Sequence, residues 1–205
     1  MFPFPFSFLG AAAADVPLEL IDNNFAMEFN GTDEYVSADN SNAYSSYSIS
    51  CWIKADSLTN FSRLVSLDSV NHRFLGLHGN GKLISGYFSG SWSELFTTST
   101  ITTNTWNHIV LVDNGTNTKI YVNTVENVLA NSIAVDGPTY YIGSYAGAAN
   151  FYDGDMDEVA IWNKALELED VQTIYNATNN NPGKCANLFT GGLASGLQYW
   201  NRMGD

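Results

Sequence analysis

Charge is scarce in this chain of 205 residues. Only 14% of positions are charged, with 8 Lys plus Arg against 21 Asp plus Glu, a formal net charge of −13. An average soluble protein carries roughly 25%. Eight dispersed cations, the first of them Lys54, cannot build the basic face that phosphate contact demands, which excludes nucleic acid as a partner. Cysteine is almost absent as well. Cys51 and Cys185 are too few for a disulfide framework and nothing in their spacing brings them together, so two buried or free thiols are expected. No apolar run approaches the roughly 18 residues that cross a bilayer, so no membrane-spanning helix is expected. Gly-x-Ser-x-Gly, Cys-x-x-Cys and phosphate-cradling loops are all missing.

What is present is a 45% hydrophobic complement, enough for a sizeable core, in a length that one all-β domain can absorb. The polar residues are mostly neutral, since Asn, Ser and Thr supply 57 of the 205. Such a surface suits an extracellular or virion protein better than a cytosolic enzyme. The four Asn-x-Ser/Thr sequons, at Asn30, Asn60, Asn114 and Asn176, are what chance provides in a chain with 23 asparagines.

Residues 1–14 are apolar and carry no Lys or Arg, and Pro3 and Pro5 interrupt the run where the helical segment of a secretory signal would form. A retained arm is expected, with an uncleaved signal as the alternative. Phe2, Phe4, Phe6 and Phe8 recur with period two, as on one side of an extended strip. Their partner is either the protein's own surface or a neighbouring subunit, and exposed aromatic strips favour the neighbour.

From about Asn24 to Trp162 short alternating runs are separated by turn residues. Asn80-Gly81 divides Arg73–Leu77 from Lys82–Phe88, and Asn114-Gly115 starts the turn between His108–Val112 and Thr118–Val122. Asn-Gly tolerates positive φ at both turn positions, so each pair predicts a tight antiparallel hairpin within a sandwich or barrel. Leu168, Val171, Ile174 and Tyr175 fall at helical spacing behind Glu167, Glu169 and Asp170, where a helix dipole favours anions. Asn-Asn-Asn-Pro-Gly at 179–183 ends that helix, and Leu197–Trp200 reads as one more strand.

Phe29–Val36, Tyr47–Lys54, Trp106–Val112 with Ile120–Asn123, and Phe151–Trp162 with Ile174 and Tyr175 resemble, in order, the signatures of laminin-G-like domains of the concanavalin A-like superfamily. The resemblance implies an all-β, two-sheet antiparallel jelly-roll sandwich with one short C-terminal helix and a curved face used for glycans or proteins. It divides the chain into an apolar arm at 1–23, the sandwich at 24–176, and a linker with a C-terminal extension at 177–205. Family members often begin with a strand carrying a Tyr-Trp pair. Here the pair is Tyr199-Trp200, so the tail folds back to supply that strand, begins a second unit, or adds to a neighbour's sheet edge.

The resemblance also implies a structural Ca²⁺ held by the Gly31 carbonyl, Asp33 and Asp157; the competing expectation has Asp157 bonded to nearby backbone amides. Asp153, Asp155 and Asp157 alternate, which on a strand turns three carboxylates to one face. The paired-carboxylate strand of the superfamily's glycoside hydrolases is absent, so no catalytic residue is assigned. His108 is expected as a packed strand residue, and Trp52, Trp106 and Trp162 as core. Tyr87 and Trp92, among glycines and serines, are the candidate faces for a sugar ring. Together these expectations describe a non-enzymatic surface component of a large assembly, most readily a phage virion. Phe2, Phe4, Phe6, Phe8, Tyr199 and Trp200 would contact neighbouring copies in a homo-oligomer. The alternative is a secreted or cell-surface carbohydrate-binding module.

Overall fold

The computed structural model describes residues 18–39, 42–68, 72–129 and 139–205. In chain order its strands are β1 (Leu20–Asp22), β2 (Met27–Asn30), β3 (Val36–Asp39), β4 (Tyr47–Ala55), β5 (Ser62–Asp68), β6 (Arg73–Leu77), β7 (Lys82–Phe88) and β8 (Trp92–Thr100). There follow β9 (Asn107–Asp113), β10 (Thr118–Val122), β11 (Val125–Leu129), β12 (Thr139–Ile142) and β13 (Asp153–Trp162). The helix α1 (Leu168–Asn179), β14 (Lys184–Ala186), a 3₁₀ turn (Gly191–Ala194) and β15 (Leu197–Asn201) complete the chain. One antiparallel sheet has the order β11-β10-β9-β4-β13-β15, with β2 also on β13; the second has the order β3-β12-β5-β6-β7-β8. The expected jelly-roll sandwich forms, with one short α-helix among the described residues.

Alternation decides which side chains make the core. Along β4, Tyr47, Ile49, Cys51, Ile53 and Ala55 point between the sheets and are buried against Leu64, Val65, Leu75, Leu111 and Ile161. Ser48, Ser50 and Trp52 point to the outer face, yet they are buried too. That outer face is covered by α1 and the segments after it. Val110, Val112, Ala160 and Trp162 pack there on Leu166, Val171, Ile174 and Ala177. The first sheet is thus a middle layer, while α1 leaves the outer face of the second uncovered.

A buried ion pair ties the two sheets. Arg73 on β6 donates to the Asp113 carboxylate on β9 at 3.2 Å and to the Tyr47 hydroxyl at 2.7 Å, with both charged side chains fully enclosed. Cys51 and Cys185 are buried and unpaired. Both Asn-Gly hairpins are present, but only the glycine takes positive φ, at +79° in Gly81 and +82° in Gly115. The loops span four residues each, and Asn114 instead accepts the Thr116 and Asn117 amides through its side chain, both at 2.9 Å.

The C-terminal segment folds back in cis. Tyr199 lies opposite Ile161 and Trp200 opposite Ala160 on β13, and β1 pairs with β14. Beyond its pairing with β2, β13 carries a bulge. Asp157 faces Trp52 and Ala160 faces Ser50, so one extra residue is absorbed, and Glu158 takes φ +51° to do it. The bulge turns two consecutive acids toward the outer face.

Candidate functional site

Where the bulge meets the C-terminal half of α1, the outer face of the first sheet opens into a cavity of about 450 Å³. Its wall is aromatic. Trp52 from β4 stacks on Tyr175 of α1 with ring centroids 5.7 Å apart and planes at 12°, and its other neighbour is His108, at 5.1 Å. Trp106, immediately before β9, stands at the rim with 40% of its surface exposed, and Phe25 adds a second exposed ring. Both rings are apolar faces that water must leave for a flat ligand to dock.

The remaining lining is polar. Asn23, Asn24, Asn123, Thr178 and Asn179 bring amide and hydroxyl groups, and Asp157 brings one carboxylate. Asp157 is 7% exposed, accepts the Asn23 side-chain amide at 2.9 Å and the Glu158 backbone N–H at 2.7 Å, and makes no ion pair among the described residues. Burial pushes its pKa up to about 7, with the neighbouring Glu158 charge adding to the effect. The Trp52 Nε1–H and the Asn23 Oδ1 are buried without hydrogen-bond partners. A cavity of this size with stacked aromatics, convergent amides and idle polar atoms is built to receive a polar ligand with apolar faces.

His108, fully buried, bonds through Nε2 with the Ser50 hydroxyl at 2.8 Å, and burial pushes its pKa down to about 3. It stays neutral at working pH and supports the wall as a packed strand residue, as expected. Glu158 faces away from the cavity. It accepts the Trp200 indole N–H at 2.8 Å and pairs with Arg202 at 3.4 Å.

Several expected site residues lie elsewhere. Tyr87 and Trp92 do not share a face. Tyr87 is opposite Ser93 and Phe88 opposite Trp92, so Trp92 points outward with Phe88, while Tyr87 points inward toward buried Arg73. The Ca²⁺ triad is not assembled. Asn30 is opposite Asp153 and Met27 opposite Met156, which sets Gly31 and Asp157 at opposite ends of the β2–β13 pairing, roughly 15 Å apart at about 3.3 Å per residue. Ca²⁺ ligands sit within about 2.6 Å of one ion, so these residues do not fit it. Asp33 instead accepts the Asn30 amide at 2.9 Å, and no group of three His, Cys, Asp or Glu among the described residues is placed to hold a metal. Asp153 and Asp155 are bonded to Ser57 at 2.5 Å and Lys54 at 2.6 Å.

Tyr199 packs on Tyr140 at 5.7 Å, and Trp200 on Phe189 at 5.0 Å, both half-buried in their own chain. Phe2, Phe4, Phe6 and Phe8 lie outside the described residues. Trp162 is core, as expected, but Trp106 is not. Trp106 ends a turn instead of entering β9, which frees its ring from the alternation that buries its neighbours.

Known structures share this architecture. A heptameric SAP-like pentraxin from Limulus polyphemus is 18% identical, with 75% of this chain and 82% of that one covered at TM-score 0.61. Domain 4 of an extracellular arabinanase from Geobacillus stearothermophilus, solved with arabinotriose, is 22% identical over 76% of this chain and 79% of that one, at TM-score 0.63. A putative carbohydrate-binding protein from Bacteroides ovatus is 19% identical and covers 90% of this chain, though only 53% of its own length is matched, at TM-score 0.68. No curated protein matches the chain in sequence. A laminin-G-like family model of the Concanavalin A-like lectin/glucanases superfamily matches residues 30–172, and with the sandwich it describes in place the chain belongs to that family.

Proposed function

We propose that this protein is a non-catalytic glycan-binding module and that the cavity beside α1 holds the sugar. The observation that carries the reading is one cavity lined together by the exposed Trp106, the stacked Trp52–Tyr175 pair, Asp157 and several amides. Sugars offer apolar C–H faces to such rings and hydroxyls to such amides. The shared fold of the arabinotriose-bound domain and of the putative carbohydrate-binding protein from Bacteroides ovatus supports it. Glycoside hydrolysis ordinarily uses two carboxyl groups, whereas Asp157 alone lines the cavity among the described residues. The neutral polar composition suits exposure to extracellular or surface glycans. No helix among the described residues is long and apolar enough to cross a membrane.

Titration calorimetry of the full chain against neutral oligosaccharides, arabinotriose included, tests the reading. The Trp106→Ala variant is expected to lose at least tenfold in affinity, about 1.4 kcal/mol. A variant that binds as tightly as the wild type would refute it.

A further inference from the structure

On the opposite side of the molecule, the outer face of the second sheet carries a guanidinium with nothing to hold. Arg63 on β5 is 4% exposed, and neither its Nε nor its Nη1 has a hydrogen-bond partner. Its side chain makes no ion pair among the described residues. The guanidinium carbon lies 3.3 Å from the Phe74 ring centroid and 5.6 Å from that of Trp92. Gly86 makes that stacking possible, since a Cβ there would stand 2.5 Å from the Phe74 ring. Burial pushes the pKa of Arg63 down, but only to about 10, so the group is charged at neutral pH.

Stacking on two rings offsets part of the desolvation of a buried cation, but leaves its in-plane N–H donors unused. Of the three guanidinium nitrogens only Nη2 reaches the surface. Beside it Trp92 is 42% exposed and rimmed by Phe88 at 5.4 Å and Tyr145 at 6.0 Å. Glu94 is the acid whose field acts on Arg63, from a position opposite Gly86 in the β7–β8 pairing. The group that fits is an anion that sets one oxygen on Nη2, attached to a ring with an apolar face.

We propose that Arg63 and Trp92 form a second saccharide site, on the sheet opposite the cavity, that takes the carboxylate of an acidic sugar. One carboxylate oxygen meets Arg63 Nη2, and the sugar ring lies on Trp92. Glu94 opposes the incoming charge and moderates affinity. This site does not depend on the cavity beside α1 and stands or falls separately.

The test is calorimetry of the full chain in a Trp106→Ala background, with three probes: a hexuronate oligosaccharide, an N-acetylneuraminate-bearing oligosaccharide, and a neutral galactose oligomer. At least one acidic probe should bind, more weakly as salt rises, and the neutral one should not. Binding of one acidic probe or both identifies the source of the carboxylate. Trp92→Ala should lower that affinity at least tenfold, and Arg63→Gln should abolish it. Glu94→Gln, an exposed-side change that leaves the core alone, should tighten binding several-fold even if Arg63→Gln fails to fold. The proposal is overturned if neither acidic probe binds, if the neutral probe binds equally, or if Trp92→Ala and Glu94→Gln leave the affinity unchanged.

Discussion

Replacing Asp157 by Asn should stabilise the protein above neutral pH and change the shape of its pH dependence. In the fold Asp157 is buried beside two further acids, Glu158 and Asp205, and its pKa rises from 3.8 to about 7. The folded state therefore holds this proton more tightly than the unfolded state. Its contribution is fully favourable below pH 3.8 and is lost as pH rises through 7. At about 1.36 kcal/mol for each pH unit between those two values, the upper bound is about 4 kcal/mol, which the opening to solvent reduces to roughly 2–4. His108 works in the other direction. Its pKa falls from 6.5 to about 3, so its contribution is complete above pH 6.5 and is lost as pH drops toward 3. Between pH 4 and 6.5 the two slopes oppose each other, and the wild type should show a nearly flat profile there. The carboxamide of the variant keeps the shape and one oxygen acceptor but cannot titrate. Urea unfolding at pH 5, 6.5 and 8 should find the variant more stable at pH 8, by roughly 2–4 kcal/mol or about 4–16 °C in Tm. Below pH 6.5 it should lose stability at up to about 1.36 kcal/mol per pH unit, tempered by Glu158, whose pKa is also raised by burial. A variant less stable than wild type at pH 8, or one with an unaltered profile, would contradict a destabilising buried charge at Asp157.

Two further outcomes follow from buried groups. Asp113→Ala leaves the Arg73 guanidinium enclosed without its anion and should cost about 3–5 kcal/mol in the unfolding free energy, measured in denaturant. Burial pushes both the Cys51 and the Cys185 thiols up to about 12, so neither should react with a thiol reagent at pH 8 until denaturant is added.

The strands and the helix were legible because alternation and turn chemistry are local. Arg73–Leu77, Lys82–Phe88 and Leu168 onward could be read directly, and both Asn-Gly hairpins formed, with loops that need positive φ only at the glycine. The site was less legible because it depends on registers. Whether Tyr87 and Trp92 share a face follows from the pairing of Phe88 with Trp92, which neighbouring residues alone do not reveal. The registers of β13 with β2 and β4 set Asp157 opposite Trp52 and at the far end of the β2 pairing from Gly31. Trp52 and Trp106 occupy positions that read as core, since a strand covered on both faces gives no sign of where its cover ends. The return of β15 to β13 is a contact between distant segments, and the stacking of Arg63 on Phe74 depends on the β5–β6 register.

The most direct test of the central claim is a calorimetric titration of wild type and Trp106→Ala with the tightest neutral oligosaccharide found in a panel screen, beside thermal melts of both. Wild type should bind saturably and the variant at least tenfold more weakly, with little change in Tm because the Trp106 ring is 40% exposed. No neutral glycan bound by the wild type, or equal binding by the variant, would contradict that claim.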